Sequence, residues 1–204
     1  MDLIASHRNY QWLCNIITGD ENRVLYVNHT LKRQWLGVGQ VGVTTPKNDL
    51  HPKKSMLSVW WSVKGIIHSG LLPAGCNITA DLYCQQLDWI AAKLQGKQDR
   101  IYFLHDNARP HVTKSTHEKL SKLRWITIPH PPYSPDLVRT DYHLYHSLSD
   151  HLCEKKFDDE NDFKMDPVRF FGQKSQEFYE PEILSLSECW RQVIDNDGTY
   201  IVES

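Results

Sequence analysis

The sequence predicts an α/β fold, a mixed sheet with helices on its faces. Three observations predict it. Two strand-like runs, SMLSVWWSV (55–63) and IIHSGLL (66–72), meet at Lys64-Gly65, a hairpin turn signal. A continuous apolar run, Ile101-Tyr102-Phe103-Leu104, has the pattern of a central strand covered on both sides. Helical spacing occupies the intervals between strands, an order that suits helices packed on a sheet.

Residues 14–28 (CNIITGDENRVLYVN) read as extended chain, apolar on both flanks of a polar Gly19-Asp20-Glu21 centre. Residues 31–54 then lose periodicity; three Gly and two Pro mark a long excursion. Loops of that length inside a compact domain are usually functional. The hairpin follows, with Trp60 or Trp61 on its core face. Thr79 caps a helix in which Tyr83, Leu87, Ile90 and Leu94 recur at helical spacing. The apolar run at 101–104 ends in His105-Asp106-Asn107, and a helix around 114–123 turns Leu120 and Leu123 inward. A short strand, Trp125–Ile128, leads into the proline-rich turn at 129–135. Helical spacing returns after Thr140 (Leu144, Leu148, Leu152) and near the end (Leu186, Trp190, Val193, Ile194). The acidic run Asp158-Asp159-Glu160 with Asp162 reads as a solvated loop or helix face.

At 204 residues and 40% hydrophobic, the chain is long enough for one core, so a single domain over 1–204 is expected. The formal charge of -2 does not announce a nucleic-acid binder, and charge distribution must carry that argument. Five cysteines without a C-x-x-C pair support neither a zinc ribbon nor a disulfide framework. His105, His111, His130 and His143 lack zinc-ligand spacing. No apolar run reaches membrane-spanning length and no secretory signal is evident, so an intracellular protein is expected, with Asn28-His29-Thr30 and Asn77-Ile78-Thr79 as chance glycosylation triplets.

Position singles out three carboxylates. Asp106 directly follows a buried strand, and carboxyl ends of strands are where α/β sheets bind ligands. Asp20 lies within an apolar extended stretch, and Asp141 precedes a helical pattern beside a rigid turn. Converging, the three would repel, and a divalent cation relieves that repulsion; Mg²⁺ and Mn²⁺ prefer such hard oxygen ligands. Each also has a plainer reading: Asp20 as a turn residue, Asp106 as the cap of the next turn, Asp141 as a helix N-cap. Spacing alone leaves both readings open.

The segments HDNARPH (105–111) and HPPYSPDLVRTDYHL (130–144), preceded by ITGDE (17–21), resemble mariner-family transposases, a catalytic domain also found fused to a SET methyltransferase domain. HPKKSMLSVWWS (51–62) and the terminal segment 176–201 share the likeness, and 34 residues lie between Asp106 and Asp141, the interval that distinguishes this family. The resemblance implies a ribonuclease-H-like mixed five-stranded sheet flanked by helices, with a long clamp-like loop insertion. It implies Asp20, Asp106 and Asp141 as catalytic, metal-binding carboxylates for two Mg²⁺ or Mn²⁺ ions. The activity implied is metal-dependent DNA strand cleavage and strand transfer in the nucleus; the alternative is an inactive remnant that binds DNA or protein. Asp136 is not the family's ligand. The SET-fusion lineage has Asn at the third position, whereas Asp141 completes the trio here.

The family also carries N-terminal helix-turn-helix modules that read transposon ends. This chain begins just before the first catalytic strand, so their absence is expected. The family continues its first motif as Gly-Asp-Glu-Lys-Trp; here Asn22 and Arg23 follow Glu21, and an Arg in place of the aromatic is expected to weaken packing beside Asp20.

Between residues 31 and 64 six positive residues face one negative, a clustering that phosphate backbones reward through counterion release. In the family the corresponding excursion resembles the clamp loop, which reaches a partner subunit and DNA. Lys53, Lys54 and Trp35 are therefore expected at DNA or in homodimer pairing through the 31–54 loop. Arg109 and His111 are expected near phosphate at the scissile bond, with a hydrogen-bonded turn histidine as the other reading of His111.

Overall fold

The computed structural model describes residues 10–28, 39–41, 52–73, 75–96, 100–131, 134, 140–153 and 155–196. A 3-10 turn, Tyr10–Asn15, leads into β1 (Ile16–Leu25). The hairpin β2 (Lys54–Ser62) and β3 (Gly65–Leu71) turns at Gly65, whose φ of 113° lies in the region an L side chain avoids. Helix α1 (Ala80–Leu94) is capped by Thr79, whose hydroxyl accepts the Leu82 N–H at 3.3 Å. Then come β4 (Tyr102–Leu104), α2 (Lys114–Leu123) and β5 (Ile126–Ile128). A π-helical turn, Thr140–Tyr145, opens the C-terminal helices α3 (His146–Leu152), α4 (Glu160–Gly172), α5 (Gln176–Leu184) and α6 (Leu186–Asp195).

The five strands lie in the order β3-β2-β1-β4-β5. β1 pairs antiparallel with β2 and β2 with β3, whereas β4 is parallel to both β1 and β5. The sheet is mixed because the hairpin needs only a tight turn, while each parallel step is made through a helix, α1 or α2.

Both faces are covered. Ile16, Leu57, Val59, Trp61 and Leu104 pack under the C-terminal helices, against Leu148, Phe163, Phe171, Tyr179 and Ile183. On the opposite face Ile17, Trp60 and Phe103 meet Tyr83, Leu87 and Ile90 of α1 and Leu120 of α2. The sequence expectation placed Trp60 or Trp61 on a core face; both are fully buried, because neighbouring strand residues point to opposite sides of a sheet with two cores.

Helices α4 and α5 carry no counterpart in the sequence pattern. Each contains an internal proline, Pro167 or Pro181, which removes a backbone donor and reads locally as a helix stop. Phe163, Phe170 and Phe171 of α4 and Tyr179 and Ile183 of α5 are buried, at about 1.5–3 kcal/mol per large apolar side chain, and this outweighs the lost bond. Asp159, within the acidic run, is the N-cap of α4. Most of the 31–54 excursion, Trp35 included, and Asp136 lie outside the described residues.

Candidate active site

The parallel ladder between β1 and β4 ends at Thr18 opposite Leu104. Two residues further along each chain stand Asp20 and Asp106. A strand repeats its facing every second residue, so Asp20 stays on the face of Ile16 and Thr18. Asp20 therefore lies within β1 just past the end of its parallel pairing with β4, and Asp106 just beyond the carboxyl end of β4. Across the other edge of β1, Asp20 is opposite Val59.

The π-helical turn brings in the third carboxylate. Thr140 is fully buried; its hydroxyl accepts the Trp61 indole N–H at 3.0 Å and lies 3.4 Å from the Thr18 hydroxyl. Tyr145, at the other end of the turn, donates its hydroxyl to the Asp20 carbonyl and reaches the Leu57 carbonyl at 3.3 Å. Pinned at both ends onto β1 and β2, the turn sets Asp141 within hydrogen-bonding reach of the Asp20 carboxyl. Such wide turns often occur at functional sites.

The electrostatics reflect this crowding. Burial, then the charges of Asp141, Asp106 and Glu21, hold the Asp20 carboxyl well above the usual carboxylate range. Asp141 is raised by burial and by Asp106, against the hydrogen bond from Asp20. Asp106 behaves oppositely: burial would raise it, but the hydrogen bond and charge of His111 outweigh burial and hold it below the usual range. His111 is itself pushed up to about 9, its burial overcome by the carboxylates of Asp106 and Glu21.

Three carboxylates, of which Asp141 and Asp106 oppose the ionisation of Asp20, form a donor set suited to a hard divalent cation. Among the described residues no three His, Cys, Asp or Glu side chains are arranged so that they could hold a metal ion, so the fit lies in donor chemistry and in the influence of Asp141 and Asp106 on the Asp20 carboxyl. The plainer readings hold in part alongside it: Asp106 accepts the Ala108 N–H at 2.9 Å as a turn cap, and Asp20 accepts the Glu21 N–H at 2.7 Å.

The residues assigned to nucleic acid divide. Lys53 and Lys54 are exposed, and the Lys53 ammonium lies 4.1 Å from the centre of the Tyr26 ring. Lys54 is opposite Leu25, about 17 Å along the sheet from Asp20 at the usual strand rise. Arg109 is exposed beside the turn that follows Asp106. His111 is different: its side chain is fully enclosed, with Nδ1 against Asp106 and Nε2 at 2.9 Å from Glu21. A direct phosphate contact has no room, and the hydrogen-bonded turn histidine is the reading that fits. Arg23 also departs from expectation: it is exposed and reaches the Asn77 side-chain oxygen at 3.2 Å, so it does not disturb a core beside Asp20.

Glu21, Thr140 and Tyr145 are site residues that sequence reasoning missed. Glu21 had a signal, its place in the Gly19-Asp20-Glu21 triplet. His105 is buried on the Glu21 side with neither ring nitrogen hydrogen-bonded among the described residues; burial, with His111 nearby, brings its pKa down to about 4 and keeps it neutral.

A family profile described as Transposase (partial DDE domain) matches residues 25–103. The chain is 39% identical to histone-lysine N-methyltransferase SETMAR of Homo sapiens over 97% of its own length and 30% of that protein. It is 35% identical to the Mariner Mos1 transposase of Drosophila mauritiana over 98% of its own length and 60% of that protein. It thus spans less than two thirds of either relative. Among solved structures, the Mos1 mariner paired end complexes with Mn and with Mg superpose with TM-scores of 0.90, at 36% identity and over 98% of this chain, 61% and 60% of theirs. The catalytic domain of Mos1 mariner transposase superposes with a TM-score of 0.81 at 34% identity, over 98% of this chain and 91% of that one. The sheet order and its flanking helices are thus those of the ribonuclease-H-like fold of DDE transposases. Agreement in sequence and fold across nearly the whole of that catalytic domain settles the ancestry: this chain belongs to the mariner transposase family.

Proposed function

We propose that the chain is a divalent-metal-dependent DNA strand-cleaving and strand-transferring domain, with Asp20, Asp106 and Asp141 as its catalytic carboxylates. The observation that carries this reading is the gathering of the three acids where the parallel β1–β4 ladder ends, where burial first and then neighbouring carboxylates hold Asp20 and Asp141 above the usual carboxylate range. Two Mg²⁺ or Mn²⁺ ions, when bound, supply Lewis-acid activation of an attacking water or 3′-hydroxyl and charge neutralisation at the phosphate. The chain's own part is positioning. Asp106 presents an ionised carboxylate, Thr140 and Tyr145 hold the turn bearing Asp141 against β1, and the covered sheet keeps the frame rigid.

The related paired-end complexes with Mn and with Mg support both the metal and a DNA substrate. Lys53, Lys54 and Arg109 are exposed and would contact the backbone, with the 31–54 loop, Trp35 included, pairing two copies of a single-domain chain. DNA as substrate implies work in the nucleus, and no helix among the described residues is long and apolar enough to cross a membrane.

Incubation of the chain with Mn²⁺ and flapped or single-stranded DNA should yield nicked product, and Asp106→Ala should lower the rate by at least about 100-fold with the fold intact. An Asp106→Ala protein as active as the parent overturns the assignment.

A further inference from the structure

The carboxylate of Asp106 is held from the opposite side of the sheet. Both of its side-chain hydrogen bonds among the described residues fall on Oδ1, one from the Ala108 N–H at 2.9 Å and one to His111 Nδ1, leaving Oδ2 outside them. The other imidazole nitrogen lies 2.9 Å from Glu21 Oε2. Glu21 follows Asp20 directly, so it points away from the three acids, toward the core beneath α1. Its second oxygen, Oε1, accepts the Ser58 hydroxyl at 3.2 Å. Tyr83 stacks on the imidazole with ring centres 4.1 Å apart, closing the arrangement from water.

We propose that Glu21 and His111 are positioning residues for the metal site, a buried relay from Ser58 through Glu21 and His111 that fixes the carboxylate of Asp106 for cation binding. The proposal rests on the metal-site reading above. Glu21 is not itself a ligand, because both of its oxygens are engaged on the far face. Nor is the relay an efficient source of stability. A buried charged pair loses hydration that an apolar filling would not, so what it supplies here is orientation. It also ties β1 to the loop after β4 across 90 residues of sequence, so one contact sets Asp20 and Asp106 relative to each other. Partners that orient a ligand in this way typically control metal affinity by about 10–100-fold.

The test is calorimetric titration of the full chain with Mn²⁺, alongside thermal melts. Glu21→Ala should weaken Mn²⁺ binding about tenfold or more, and Glu21→Gln, whose amide oxygen still accepts from the imidazole, should recover most of it. Leu87→Ala, in the same core but outside the relay, should lower the melting temperature and leave Mn²⁺ affinity unchanged. A Glu21→Ala protein that melts lower yet binds Mn²⁺ as tightly as the parent overturns the proposal, because the relay is then only structural. Parent protein that binds no Mn²⁺ overturns the metal-site reading itself, a result visible without any Glu21 variant. If Glu21→Ala does not fold, Ser58→Ala replaces it; removing the outer bond should weaken Mn²⁺ binding measurably, and unchanged affinity overturns the relay.

Discussion

The indole of Trp60 lies across Gly19, its cross-strand partner, so closely that a β-carbon on Gly19 would stand 2.7 Å from Trp60 Cδ2 and 2.8 Å from Cε3. The Val59 carbonyl at 3.1 Å closes the remaining side. Trp60 is itself stacked on Phe103, with ring centres 5.5 Å apart, and cannot retreat without disturbing β4. Glycine is therefore required beside Asp20 for space. Gly19→Ala should cost about 1–3 kcal/mol, the usual penalty for overpacking a core. Urea melts check it, and pairing the change with Trp60→Leu should return part of the loss. A variant as stable as the parent would show that the indole has room to move.

Burial of the Asp20 carboxyl, with the charges of Asp141, Asp106 and Glu21 beside it, predicts a stability gain when that acid is neutralised. The Asp20 carboxyl has a folded pKa above its unfolded value, so folding favours its protonated form. Its contribution is fully present below the unfolded carboxylate value of about 4 and is lost as pH rises through the folded value. With metal removed by chelator, Asp20→Asn should match the parent near pH 4 and exceed it at neutral pH by about 0.5–2 kcal/mol. Thermal melts across that pH range decide it; parent and variant that run parallel would mean that neither burial nor the neighbouring acids hold the Asp20 carboxyl above its unfolded value.

Lys53 and Lys54 stand exposed at the far end of the β1–β2 ladder from the acids, and the proposed function assigns them to the backbone of a bound strand. Changing both to glutamine should weaken DNA binding evenly across sequences. It should also lower the slope of log affinity against log salt by about 1–2. Unchanged slope would remove these lysines from the DNA path.

How far the site was legible depended on the range of the contacts involved. The Thr79 cap, the Lys64-Gly65 turn and the apolar stripe of α1 are decided within a few residues, so each was readable from the chain. The three acids were readable as candidates from their positions, Asp20 within an apolar stretch, Asp106 directly after a buried strand and Asp141 before a helical pattern. Helices α4 and α5 were not, since Pro167 and Pro181 interrupt the local pattern and only burial under the sheet restores the helix.

By itself, then, the sequence determined the order of strands and helices as far as β5 and the family likeness, and it offered the three carboxylates as candidates, because local pattern and motif encode these. Only the tertiary structure decided what surrounds those carboxylates. Thr140 meets Trp61 across 79 residues, Tyr145 meets Asp20 across 125, and His111 meets Glu21 across 90. Contacts of that range exist only once the sheet has closed, because periodicity says which face a residue joins and not which distant residue it meets there. His111, for which the chain left a phosphate contact and a hydrogen-bonded turn histidine both open, is an enclosed partner of Asp106 for that physical reason.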